Sequence, residues 1–295
     1  MPRTSAVATV SKTPSRGAMP LKATKSMVTA ARVAAPTMHG HRRVTVHRAH
    51  VDAVMAMAAS AKLTHAGATA HFDVWYLTSM RHKGATLAQA ILADCERDYA
   101  TLAQVFGGIT PGRMPFVVHV TTGSTGASHS SCLGTDIQVG GNSAANVDFI
   151  RSLLVAEADE VFMANFGRGW DCGASNGEGL SRVLANDIYR GVEAPGFISS
   201  NSWLNSARQN FVDTTYPTDV DYPSIGCSVL FLNWLRFQLN HSWRDIVAAG
   251  AGTLGHTYRN LTQKNTGWQD FSAVIDAHWP AGKTYRLKTD NPFPV

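Results

Sequence analysis

Residues 144–166 read AANVDFIRSLLVAEADEVFMANF and are closed by Gly167. Apolar groups recur at Val147, Ile150, Leu154, Ala158 and Val161, spacings of three and four that line one side of an α-helix. A glycine just past the last periodic residue is a helix stop. Leu153, Glu157, Glu160 and Ala164 fall on an adjacent face at spacings of four, three and four, so the two glutamates are neighbours on one helix side. They form either a solvated acidic flank or a pair of carboxylates turned into the body. In the second case they repel, and a cation, a shared proton or an arginine has to compensate.

The elements around this helix are read in the same way. Phe72 to Thr78 is β-branched and aromatic, which predicts a strand. Residues 86–105 carry apolar groups at 88, 91, 92, 95, 99, 102 and 103, a helical period stopped by Gly107-Gly108. Pro115 to Thr121 is a second strand, Gly123 to Ser131 a Gly/Ser-rich loop, and Cys132 to Val139 a third strand closed by Gly140-Gly141. After a loop holding Trp170, Cys172 and Gly173, a short helix starts at Asn176-Gly177-Glu178. The chain is helical again from Ser224, and Val229 to Leu239 is apolar nearly all round, which marks a buried helix. Ser242 with Asp245 opens the next helix as a cap and its acidic third residue. Helices near 253–263 and 268–278 and a Pro-rich extended tail complete the chain.

The bulk numbers bound the function classes. With 295 residues, 44% of them apolar, the chain can bury a sizeable core. No apolar run approaches the roughly 20 residues that span a bilayer. The net charge of +5 is unevenly placed: residues 1–69 hold ten Lys and Arg against one acid, Asp52, leaving 16 bases and 20 acids for residues 70–295. The basic character belongs to the arm, so specific nucleic-acid binding is not expected of the body. An Ala-, Ser-, Pro- and Arg-rich segment cannot bury enough surface to order itself, and acid-poor, Arg-rich N-termini also mark organelle targeting. Val51 to Ala61, behind Arg42, Arg43 and Arg48, reads as an apolar helical segment docking on the body or as a weak export signal. Secreted and organellar locations both stay open.

Four cysteines are present, none spaced as C-x-x-C. Cys95 lies on an apolar helix face and Cys227 in an apolar run, as ordinary core residues do. Cys132 and Cys172 sit in Gly/Ser-rich loops and are the disulfide candidates. Five of the tryptophans, Trp170, Trp203, Trp243, Trp268 and Trp279, could line a groove or pack in the core. Glu178 opens the helix 18 residues after Glu160, with Arg182 four residues on as a possible partner. Three acids together would suit calcium or magnesium better than zinc. Neither a G-x-x-x-x-G-K-[ST] loop nor a G-x-S-x-G elbow occurs.

The order of strand, helix, strand, edge strand, long helix and second helix with Gly-Glu-Gly resembles zincin-like metallopeptidases. In their gluzincin branch the long helix bears H-E-x-x-H and a later glutamate completes the zinc site. The corresponding stretches here are Ala156-Glu157-Ala158-Asp159-Glu160 and Gly177-Glu178-Gly179, the latter as in basic secretory proteins. Trp170 to Ser181 and Leu230 to Leu239 also look like a group of uncharacterised microbial and fungal zincin-like proteins. The resemblance covers residues 70–295 and implies an α+β, zincin-like fold. It puts Glu157 at the general-base position, Glu160 and Glu178 at ligand positions, and Ala156, which cannot bind metal, at the first ligand position. His129 in the Gly/Ser loop, or His119 in the second strand, could approach the cleft as a replacement ligand. A standard zinc site is therefore not expected, although a divalent cation is. The expectation is a zincin-fold protein without peptidase activity that binds a peptide, a glycan or a cation. The alternative is a metal-dependent hydrolase in which Glu157 activates water while Glu160 and Glu178 hold the ion. A third reading makes the basic arm the working part, on anionic surfaces or in targeting.

Overall fold

The computed structural model describes residues 62–122, 126–141, 146–192 and 198–295. The arm proper and the Val51–Ala61 segment lie outside the described residues, as do positions 144 and 145 of the long helix. Strands β1 (Leu63–Ala68) and β2 (Phe72–Leu77) lead through a 3₁₀ turn into helix α1 (Arg81–Val105). Next come β3 (Phe116–Thr121), β4 (Ala127–His129), β5 (Asp136–Gly140), α2 (Val147–Phe166) and α3 (Ser175–Ile188). The rest is helical: α4 (Ser200–Leu204), α5 (Tyr222–Asn233) running into a π-helical turn at Trp234–Gln238, α6 (Trp243–Ala248), α7 (Leu254–Thr262) and α8 (Gly267–His278). This is a mixed α+β body with a small sheet and a mostly helical C-terminal half. Among the described residues no helix is long and apolar enough to cross a membrane.

The sheet order is β1-β2-β3-β5-β4. The inner pairs β2/β3 and β3/β5 are parallel, and both outer pairs are antiparallel. Alternation sends Phe72, Val74, Phe116, Val118, Val120, Ile137 and Val139 to one buried face. Helices α1 and α2 lie side by side on it. The body boundary at residue 70 needs correcting: β1 starts at Leu63, inside the segment assigned to the arm by composition, and its pairing with β2 runs through a bulge between His65 and Gly67. The Gly/Ser loop from 123 to 131 also contains a strand. Ala127–His129 pairs antiparallel with Val139 to Ile137, while Cys132 to Thr135 forms a turn ahead of β5.

Helix α1 ends where Gly107 and Gly108 take φ of 75° and 88°, values that penalise a Cβ. The Asn146 side chain caps α2, accepting from the Asp148 N–H at 2.9 Å, and Gly167 ends it in the left-handed conformation at φ 67°. Phe149, Ile150, Leu154, Val155, Val161, Phe162 and Met163 bury α2 on nearly all sides. The Gly-Glu-Gly of α3 has a steric reason on both flanks. A Cβ on Gly177 would collide with the Asp171 carbonyl, and one on Gly179 would lie 2.6 Å from the Ser228 Cβ of α5.

Ser242 caps α6, its Oγ accepting from the Asp245 N–H at 3.1 Å. The C-terminal helices share an aromatic core in which Trp203 stacks on Phe271 at 5.7 Å and Trp234 on Tyr258 at 5.6 Å. Trp170, Trp203 and Trp243 are buried with their indole N–H groups bonded to the Val247 carbonyl, the Gln209 carbonyl and Asp187, so these three serve packing. The extended tail is tied down by Asp290. Its buried carboxylate accepts from the Ser199 N–H and Oγ–H, each at 3.1 Å, and from the Ser200 N–H at 2.7 Å, the start of α4. Asn233 donates to the Asp290 carbonyl at 2.9 Å, and Asn201 exchanges two bonds with Leu287. Asp290→Ala would strand buried N–H donors. It is expected to lower stability by about 2–4 kcal/mol, read as a shift in the urea midpoint at unchanged slope.

Candidate functional site

Strand β4 sits at the sheet edge, and His129 pairs with Ile137, whose side chain is on the buried face. His129 therefore points at α2. Its Nδ1 lies 2.6 Å from Glu157 Oε2, and its Nε2 lies 3.7 Å from Glu160 Oε2. His129 is 5% exposed and Glu160 7%, while Glu157 is less buried. The side-by-side placement of the two glutamates thus faces inward, and the acidic-flank alternative does not describe it. The compensating group is an imidazole from the segment read in sequence as a plain loop.

The ring's two nitrogens do different work. At 2.6 Å the Nδ1–H donates to the Glu157 carboxylate, a charge-assisted bond that fixes tautomer and ring orientation. Nε2 is then left facing Glu160 at a distance too long for a hydrogen bond. An imidazole nitrogen and a carboxylate oxygen at this separation leave room for a proton or a cation between them.

Cys132 and Cys172 are joined in a disulfide with Cα atoms 5.8 Å apart, tying the turn after β4 to the loop before α3. Closing a loop across 40 residues constrains the unfolded chain by about 4 kcal/mol. The same bridge brings sulfur to the site. Among the described residues, ligand atoms of His129, Glu160 and Cys172 all lie within 4.8 Å of one another, and so do those of Cys132, Asp171 and Cys172. Glu178 belongs to neither group. It is 8% exposed on the first turn of α3, which packs against α2. Arg182 stands over the Tyr222 ring at 5.7 Å. His119, the other candidate histidine, alternates with the buried Phe116, Val118 and Val120 and so points to the opposite face of the sheet, away from α2. Burial pushes its pKa down against the nearby Asp73 and Asp136.

The residues present do not fit the gluzincin zinc triad. Ala156 offers a methyl group where an imidazole is required, and Glu157 is engaged by His129 instead of facing open space. What they do form is a cluster of one imidazole with a carboxylate at each ring nitrogen.

Asp159 was not singled out by sequence reasoning. It is 0% exposed, and neither carboxyl oxygen has a hydrogen-bond partner. The available signal was its place three residues before Phe162 and four after Val155, both apolar. Burial raises its pKa well above the ordinary carboxylate range, so the group is kept neutral. Because the folded chain holds this proton more tightly than the unfolded one, stability is fully present below about pH 4 and falls as pH rises above it. Asp159→Asn removes that titration. Its stability relative to the parent is expected to improve by roughly 1–3 kcal/mol between pH 4 and pH 8, measured by thermal melts across that range.

Compared with family models, with curated proteins and with solved structures, the chain gives no match in any of the three.

Proposed function

We propose that this chain is a zincin-like protein that lacks the standard zinc triad and works by binding, its ligand a divalent cation held between His129 Nε2 and Glu160. The element order and the Ala156–Glu160 and Gly177–Gly179 segments support the zincin likeness. The single observation carrying the cation is the Nε2 to Oε2 separation of 3.7 Å. Two ligands each about 2.1 Å from one ion lie about 3.4 Å apart at the tetrahedral angle, and further apart at wider angles. The Glu157–His129 bond adds the carboxylate–histidine arrangement that orients a ligating ring. One imidazole with one carboxylate suits zinc or manganese better than calcium, which takes oxygen donors. A peptide or glycan is less well supported, because the converging atoms are ligand atoms and not a broad aromatic groove.

This reading separates cleanly from a metal-dependent hydrolase. There Glu157 is the general base, and Glu157→Gln abolishes turnover while leaving metal affinity intact. Here Glu157 positions His129, so the same substitution weakens cation affinity by roughly 10–100-fold. Titration calorimetry of the chelator-treated, disulfide-intact protein with zinc, manganese and calcium ions is the test. Zinc or manganese is expected to bind at one site, with His129→Ala and Glu160→Gln each abolishing the signal. No binding of any of the three ions would overturn the reading.

A further inference from the structure

We infer that reduction of the Cys132–Cys172 disulfide converts this cleft into a three-ligand zinc site made of His129, Glu160 and Cys172. The inference rests on the reading of His129 and Glu160 as ligands and adds the third donor and its control. The placement is already present: the Cys172 sulfur lies within 4.8 Å of the ligand atoms of both His129 and Glu160, and all three residues are buried. In the oxidised state that sulfur is spent on its bond to Cys132. A disulfide sulfur is a poor ligand, whereas a thiolate is among the strongest that zinc finds in proteins. The oxidised site therefore offers one nitrogen and one oxygen, and the reduced site adds a soft donor that selects zinc over harder ions.

The two sulfurs are not equally reachable. Cys132 is half-buried and Cys172 buried, so a reductant meets Cys132 first. A dithiol attacks the Cys132 sulfur through one thiolate, and the Cys172 sulfur leaves with the bonding pair. The second thiol of the reductant then closes its own disulfide and releases Cys132. Two electrons and two protons pass to the protein, giving two thiols, and the dithiol becomes a disulfide. Zinc then takes Cys172 as thiolate, and the thiol proton goes to solvent. The remaining cysteines do not compete. Cys95 and Cys227 are buried, and burial pushes their thiols up to about 11 and about 12.

The test compares the full chain, metal-stripped, with the disulfide intact and after reduction by a phosphine that does not bind zinc. Zinc affinity is read by competition with a chromophoric chelator. Thiolate ligation is read as the near-ultraviolet charge-transfer band of bound cobalt(II). Reduction is expected to tighten zinc at least about tenfold and to bring in the cobalt band. Cys132→Ser, which frees Cys172 without any reductant, should show both from the start, and Cys172→Ser should show neither. Equal affinity and no band after reduction would overturn the gate while leaving the two-ligand reading standing. Loss of all binding in the oxidised arm, with binding kept in the reduced arm, would sink the two-ligand reading instead. A cobalt band that survives in both His129→Ala and Glu160→Gln would assign the metal to Cys132, Asp171 and Cys172 and so overturn the proposed site. The near-ultraviolet circular dichroism of the buried tryptophans is followed in parallel, and a reduced form that loses it also overturns the gate.

Discussion

Helix α2 carries three carboxyl groups within four residues while being buried on nearly every side, and each is accommodated differently. Glu157 is the least buried of the three and accepts a short bond from His129. Glu160 lies deeper and faces the other side of the same imidazole. Asp159 has no hydrogen-bond partner, and burial raises its pKa well above the ordinary carboxylate range. One histidine therefore lies between two acids, and the chain has to deliver it accurately. Strand β4 does this with three residues paired to β5, and the disulfide fixes the turn that follows. The cleft depends on an edge strand and a covalent bridge more than on apolar packing alone.

The cation reading follows from how this cluster departs from a plain salt bridge. An imidazole and a carboxylate intended for each other close to hydrogen-bond distance, as the Glu157 side does. On the Glu160 side the separation is 3.7 Å, longer than a hydrogen bond. A ring held at hydrogen-bond distance on one side and more loosely on the other is the asymmetry on which the proposed cation reading rests. The nearby sulfur gives the arrangement a second chemical state, because only one of its two oxidation levels donates to a metal.

Much of this was legible in sequence because it rests on local rules. The 3.6-residue period and its glycine stops gave α1 and α2 to within a few residues, and Ser242 capped where its pattern with Asp245 said it would. The β-branched runs gave β2 and β3. Strands β1 and β4 were not visible. Leu63–Ala68 has two small residues and a glycine bulge in place of alternation, and Ala127-Ser-His129 is too short to carry a period. Both are strands only because a neighbour supplies the ladder, a tertiary effect that propensity does not record. The site was half legible for the same reason. Glu157 and Glu160 share a helix face by spacing alone, whereas His129 reaches them through strand pairing across 28 residues of chain. The depth of Asp159 was not legible, because acids on helices are mostly exposed.

The two weakly patterned strands are also the two flanks of the sheet. β1 is bent by its bulge, and β4 offers only three residues of backbone. An unpaired flank is a template on which a second chain can add a strand, and the usual protections are brevity and local twist. Here each flank has one of them. The features that concealed these strands from pattern reading also make them poor seeds for intermolecular β-stacking, leaving the long, regular β-branched strands enclosed between them.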